Sequence, residues 1–106
     1  EEQGLIRLPH IPDYSTNNAH LFYIICRNLK ERSELIKYLK GKGIGAVFHY
    51  LSLHSSEYYK KYYKGSELTN THMYSDCLLR LPMYFNLKLE EADFVCRSIN
   101  SYFGNK

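Results

Sequence analysis

The stretch at positions 48–54, FHYLSLH, has the densest set of side chains that could do chemistry. It holds two imidazoles and a phenol, in His49, Tyr50 and His54. These groups can donate hydrogen bonds to phosphate or sugar oxygens. A structural hydrogen-bonding role for each histidine stays open as the alternative. No cysteine or carboxylate lies close enough in sequence to complete a metal site, so no metal is predicted.

A second candidate is the stretch at positions 58–64, YYKKYYK, in which aromatic rings alternate with cations. Such a composition suits stacking on single-stranded nucleic acid. A solvated loop whose lysines keep the surface soluble explains it better, because the net charge of the whole chain is only +3. We therefore predict no nucleic-acid partner.

The third group of potentially reactive side chains consists of three cysteines, Cys26, Cys77 and Cys96. Their number is odd and their spacing fits no metal motif. Each lies in an apolar stretch, which predicts buried, reduced thiols in a cytoplasmic protein. No apolar run reaches the roughly 18 residues that would cross a bilayer, so no membrane association is predicted. The chain also lacks a nucleophile elbow, a phosphate-binding glycine loop and a dinucleotide fingerprint.

The elements that must position these side chains follow from the apolar pattern. Positions 21–26, LFYIIC, predict a buried strand, and a helix begins after Asn28, with Glu31 placed to complete a capping box. Gly41 and Gly43 end this helix. Positions 44–50 predict a second strand that delivers the histidine stretch to a loop.

The second half of the chain predicts three more elements. A helix spans positions 68–79, with Met73, Cys77 and Tyr74 as candidates to face inward, and a short strand ends at Pro82. The last helix has inward candidates at helical spacing, namely Ala92, Val95, Cys96, Ile99 and Phe103.

Together these elements predict an α+β fold with a small β-sheet of about three strands covered by helices. Pro9 and Pro12 disfavour compact structure before the first strand. We therefore predict an extended connector at 1–18 and one domain at 19–106.

Four stretches carry a resemblance to a known family. They are NAHLFYI at 18–24; Arg32-Ser33 with Leu39 and Gly43-Ile44; His49-Tyr50 with Leu53-His54; and LRLPMY at 79–84. In order and spacing they resemble the DegT/DnrJ/StrS family of aminotransferases, which act on nucleotide-linked keto sugars.

The resemblance implies the C-terminal small domain of a type I pyridoxal-phosphate-dependent transferase. The large domain of such an enzyme, upstream of this chain, would bind the cofactor and supply the Schiff-base lysine. It also implies transfer of an amino group from glutamate to a dTDP-4-keto-6-deoxy sugar, in a cytoplasmic homodimer that serves bacterial surface-polysaccharide synthesis. This chain alone is then expected to bind no cofactor, to contain no catalytic residue and to be inactive.

The resemblance also places His49, Tyr50 and His54 near the nucleotide sugar. Two positions depart from the family pattern: Ser52 stands where a proline is usual, and Lys88 where Ser or Thr usually caps the last helix. Arg80 is a weaker candidate that could equally pair with a surface carboxylate. The alternative function is a small non-catalytic module that binds a ligand or RNA.

Overall fold

The computed structural model of this chain describes residues 4–104. The strands are β1 (Phe22–Ile25), β2 (Val47–Phe48) and β3 (Leu78–Leu81); the helices are α1 (Leu29–Gly41), α2 (Thr69–Cys77) and α3 (Leu89–Gly104). Two short 3-10 turns, Leu53–Ser55 and Tyr59–Lys61, connect β2 to α2. The predicted α+β fold with a small three-stranded sheet is therefore confirmed.

The sheet has the order β1-β3-β2, and both outer strands run antiparallel to β3. Leu79 in β3 lies opposite Ile24 on one side and Phe48 on the other. The two strands that flank α1 in sequence are thus parallel to each other but separated by β3, an order that the sequence left open.

The hydrophobic core lies between one face of this sheet and helices α1 and α3. Ile24, Leu35, Leu39 and Leu79 are the largest side chains that are fully buried. Burial of such a side chain stabilises the fold by about 1.5–3 kcal/mol relative to exposure. The Tyr102 ring of α3 closes the core against α1, where it lies 5.3 Å from the Tyr38 ring.

Both ends of α1 are fixed by local hydrogen bonds. The Asn28 side chain accepts from the Glu31 amide at 2.9 Å, as the sequence predicted. The Glu31 carboxylate also accepts from the Arg27 amide at 3.0 Å. At the other end Gly43 takes φ +76°, and the Ile44 amide donates to the Leu39 carbonyl, which completes a Schellman motif.

The predicted second strand, 44–50, is too long: β2 comprises only Val47 and Phe48. Ile44 and Ala46 are buried in the core directly after the helix stop, before the chain reaches the sheet edge. The chain leaves the sheet again at His49. The other residues of the predicted strand, at 44–46 and 49–50, therefore do not pair with a neighbouring strand of the sheet.

Two helix predictions also need correction. The second helix begins at Thr69 and ends at Cys77, because Leu78 already belongs to β3. In it Cys77 is buried and Met73 half-buried, whereas Tyr74 is exposed. In α3 the inward face carries Val95, Ser98, Ile99 and Tyr102, and Cys96 is exposed, contrary to the prediction of a buried thiol.

The predicted connector passes beside the sheet. Arg7 exchanges two backbone hydrogen bonds with Ile25, at 3.0 and 2.9 Å, and Ile6 packs against the core. Positions 1–3 of that connector and positions 105–106 of the predicted domain lie outside the described residues. The domain boundary at 18/19 stays a prediction. Among residues 4–104, no helix is long and apolar enough to span a membrane.

Candidate functional site

The histidine stretch leaves the sheet at the end of β2, at a point held by Arg32. This buried arginine of α1 donates through Nε to the Asp76 carbonyl at 2.9 Å, and its guanidinium lies 5.3 Å from the centroid of the Phe48 ring. The carbonyl lies in the last turn of α2, where a positive charge is favoured by the helix dipole. Arg32 therefore connects α1, α2 and β2 directly below the candidate site.

His49 and Tyr50 lie side by side at the mouth of a cavity of about 360 Å³, with ring centroids 4.2 Å apart. Tyr50 is exposed and His49 half-buried. Their backbone is held by α2, because the Ser75 hydroxyl donates to the Tyr50 carbonyl at 3.2 Å. Asn70 and Thr71 of α2 also line this cavity.

Two buried polar atoms of this stretch have no hydrogen-bond partner among the described residues. They are His49 Nδ1 and Ser52 Oγ, and both residues line the cavity. A buried polar atom without a partner costs about 1–3 kcal/mol. Each of these two atoms is therefore an uncompensated polar group inside the wall of the cavity.

The third predicted site residue, His54, lies apart from this cavity. Its Nε2 is 3.0 Å from Nε2 of His72 on α2, and its ring lies 5.1 Å from the Tyr63 ring. It lines a separate cavity of about 280 Å³ with three tyrosines, Tyr59, Tyr62 and Tyr63. The structure thus places His49 and Tyr50 together at one cavity and His54 at another.

A further cavity, of about 750 Å³, was not predicted. It lies over the end of β3 and includes Arg80, Tyr84, Glu90 and Glu91. Arg80 is half-buried, and the ion pairs among residues 4–104 do not include it, so the alternative of pairing with a surface carboxylate is not seen there. For this cavity the sequence offered only the position of Arg80 in a short strand that ends at a proline. That position gave no information on the surrounding loop.

Pyridoxal phosphate requires an amine for the Schiff base and a phosphate cradle. No lysine lines the three cavities described above or the cavity that His20 and Phe22 line beside the connector. Residues 4–104 also contain no cluster of three or more metal-ligating side chains. The residues that line these cavities therefore do not fit the cofactor's anchoring role.

A profile of the DegT/DnrJ/EryC1/StrS aminotransferase family matches residues 1–100. The chain belongs to this family. The recognition of the family from the four sequence stretches is thereby confirmed.

Solved structures agree with the assignment of the chain to this aminotransferase family. DesV from S. venezuelae is 27% identical and superposes with a TM-score of 0.82 over 93% of the chain. NtdA from Bacillus subtilis, with bound cofactor PMP, is 25% identical with a TM-score of 0.78 over 94%. TlmJ from Streptoalloteichus hindustanus, at 17% identity and a TM-score of 0.83 over 96%, supports the fold.

This family member spans only about a quarter of the proteins that it resembles. It covers 27% of the DesV and TlmJ chains and 23% of the NtdA chain. The activity, substrate and partners of a complete aminotransferase are therefore only proposed for this chain.

Proposed function

We propose that this chain is the small domain of a pyridoxal-phosphate-dependent aminotransferase that acts on a nucleotide-linked keto sugar. The observation that carries the proposal is the family match over residues 1–100, together with a superposition on about a quarter of each solved relative. The finer assignment follows the sequence resemblance. It comprises a dTDP-4-keto-6-deoxy sugar as acceptor, glutamate as donor and a role in bacterial surface-polysaccharide synthesis, with dTDP-4-amino-4,6-dideoxygalactose as the product.

The surface of the chain supports its packing against a further domain. The accessible surface is 8200 Å², whereas a compact monomer of 12.6 kDa exposes about 6,200 Å². The radius of gyration of 15.6 Å likewise exceeds the roughly 13 Å of a compact domain of this length. We propose that a large domain covers part of this excess surface, in a cytoplasmic homodimer.

The cofactor would be held by that large domain. NtdA, which resembles this chain, has bound PMP. When bound, the cofactor supplies the carrier for the amino group. The chain's own contribution would be to bind and orient the sugar nucleotide, so the chain alone should show no transaminase activity in an assay with glutamate and a dTDP-4-keto-6-deoxy sugar.

Within the chain we propose His49 and Tyr50 as hydrogen-bonding contacts of the sugar nucleotide. Both residues line the cavity of about 360 Å³ beside α2. An imidazole and a phenol there could form hydrogen bonds to diphosphate or sugar oxygens. His54 stays the third proposed contact; because its Nε2 faces His72, it would reach the substrate through Nδ1.

The substitution His49→Ala in the full-length enzyme tests this assignment. We expect a higher KM for the nucleotide sugar with the dimer intact, because loss of a binding contact weakens substrate binding more than it changes the chemical step. A change of about tenfold would correspond to the loss of one hydrogen bond worth about 1.4 kcal/mol.

The matched control is His20→Ala, which removes an exposed imidazole beside a different cavity. Steady-state kinetics of both variants, with sedimentation to confirm the dimer, separate substrate binding from a role in dimer support. An unchanged KM in His49→Ala would contradict the proposal.

The alternative, a non-catalytic RNA-binding module, is favoured by one surface cluster. Lys61 lies 5.3 and 5.0 Å from the ring centroids of Tyr58 and Tyr62, and both rings are exposed. Affinity for single-stranded RNA would fall steeply as salt rises. Binding of the protein releases cations condensed on the RNA phosphates, and this release is less favourable when the salt concentration is high. Titration of a labelled RNA at two salt concentrations distinguishes this module from the aminotransferase domain.

A further inference from the structure

His54 and His72 meet across the excursion between β2 and β3. His54 lies in the 3-10 turn Leu53–Ser55 and His72 in α2, and their Nε2 atoms are 3.0 Å apart. The two ring planes are nearly perpendicular, at 83°, and the ring centroids lie 4.7 Å apart. Both rings are half-buried.

The ring arrangement differs from that of a straight hydrogen bond. Two imidazoles aligned end to end across a linear N–H···N bond at this nitrogen separation would have centroids about 5.3 Å apart. The shorter observed separation fits two rings that converge on one point about 2 Å from each nitrogen. Two Zn–N bonds of about 2.0–2.1 Å to nitrogens 3.0 Å apart would enclose an N–Zn–N angle of about 94°. A tetrahedral N–Zn–N angle would require the two nitrogens to lie about 3.3 Å apart, which is only slightly farther.

We propose that His54 and His72 bind a divalent transition-metal ion, with zinc as the representative ion. Imidazole nitrogen suits zinc, copper and nickel, whereas magnesium prefers oxygen ligands. The cavity of about 280 Å³ that His54 lines together with Tyr59, Tyr62 and Tyr63 leaves room for water to complete the coordination. The bound ion would fix the tautomer of both rings, with the proton on Nδ1.

The site is absent from the sequence-based prediction because its ligands are 18 positions apart. Packing of α2 against the histidine stretch brings His72 next to His54, where it would supply the second nitrogen ligand. A bound ion would therefore hold the segment 54–72, including its exposed tyrosines, to α2.

Calorimetric titration of the chain with zinc chloride tests the proposal in a Cys96→Ser background, because the exposed Cys96 thiol would itself bind zinc. We expect one zinc per chain and a rise in Tm that grows with zinc concentration. Magnesium chloride at the same concentration should leave Tm unchanged. No zinc binding, or an equal response to magnesium, would overturn the proposal.

The decisive variant is His72→Gln, which retains a side-chain donor for His54 but is a poor zinc ligand. We expect zinc affinity to fall at least tenfold and the zinc-dependent rise in Tm to disappear. His20→Ala is the matched control and should bind zinc like the parent. Unchanged zinc affinity in His72→Gln would assign the bound ion to other groups and reject the site.

A second measurement does not depend on the folding of any variant. NMR spectra of the parent chain should show zinc-induced shifts of the His54 and His72 ring signals, with the His20 ring unaffected. Shifts confined to other histidines would contradict the assignment. Neither result depends on aminotransferase activity, so failure here leaves the proposed function to its own test.

Discussion

At the scale of single residues, burial decides what the three cysteines can do. Cys26 and Cys77 lie in the core region, where the Cys26 amide donates to the Cys77 carbonyl at 2.9 Å. Burial, followed by the nearby Glu31 carboxylate, raises the pKa of the Cys26 thiol to about 12. Burial also raises the pKa of Cys77. Both thiols are thus protonated near neutral pH, whereas Cys96 is exposed on α3.

We predict that iodoacetamide at pH 8 modifies Cys96 in the folded chain and leaves Cys26 and Cys77 unmodified, because the thiolate is the reacting species. Mass spectrometry of the digested protein identifies the modified positions. Unfolding in urea before labelling is the control, and all three cysteines should then react. Fast labelling of Cys26 in the folded chain would contradict its burial.

The raised pKa of Cys26 also gives a sign for the pH dependence of stability. The unfolded thiol ionises near its ordinary pKa of about 9, whereas the folded thiol stays protonated until about 12. The unfolded state therefore binds fewer protons between these values, and this residue's contribution to folding stability falls as pH rises from 9 to 12.

At the scale of elements, helix α3 shows how a rotation of one residue, about 100°, separates core from surface. Val95 and Ile99 point into the core with Tyr102, while Cys96 and Phe94 are exposed. The apolar spacing of the sequence placed both Val95 and Cys96 on the inward face. Packing against α1 selects the face that carries Tyr102, since its ring contacts Tyr38.

We predict that Ile99→Ala lowers the free energy of unfolding by about 2–5 kcal/mol, because it leaves a cavity in the core. Cys96→Ala on the same helix is the control and should change it by no more than about 0.5 kcal/mol. Urea unfolding followed by circular dichroism measures both variants. Equal costs would mean that the inward face of α3 is assigned wrongly.

At the scale of the whole molecule, the exposed apolar side chains are the dominant feature. Phe85 is 102% exposed and Leu89 is 86% exposed, and their chain neighbours Tyr84 and Glu90 line the cavity of about 750 Å³ at the end of β3. A large exposed apolar patch commonly marks an interaction site. Together with the excess surface area, this supports docking of the face that carries Phe85 and Leu89 against the proposed large domain.

We predict that Phe85→Ser changes the unfolding free energy of the chain alone by less than about 0.5 kcal/mol, because the ring makes no buried contact to lose. In the full-length protein the same substitution should lower the Tm, since the ring would then be buried between domains. Thermal unfolding of both forms measures the difference. A neutral effect in the full-length protein would remove Phe85 from the proposed interface.

The sequence by itself determined the elements whose signals are local. Asn28 and Gly43 define the ends of α1 through hydrogen bonds to nearby backbone, and the apolar run around Ile24 identifies a buried strand whatever its partners. The family was also readable, because its motifs lie in short stretches. The positions of His49 and Tyr50 at the end of β2 followed from the same local pattern.

Only the tertiary structure decided which distant residues meet. The order β1-β3-β2, the shortness of β2 and the exposure of Cys96 depend on packing between elements far apart in the chain. The histidine stretch FHYLSLH, the strongest chemical signal in the sequence, is divided by the fold. His49 stays at the cavity beside β2, whereas α2 carries His72 to His54, because contacts between elements, and not spacing along the chain, set the distance between side chains.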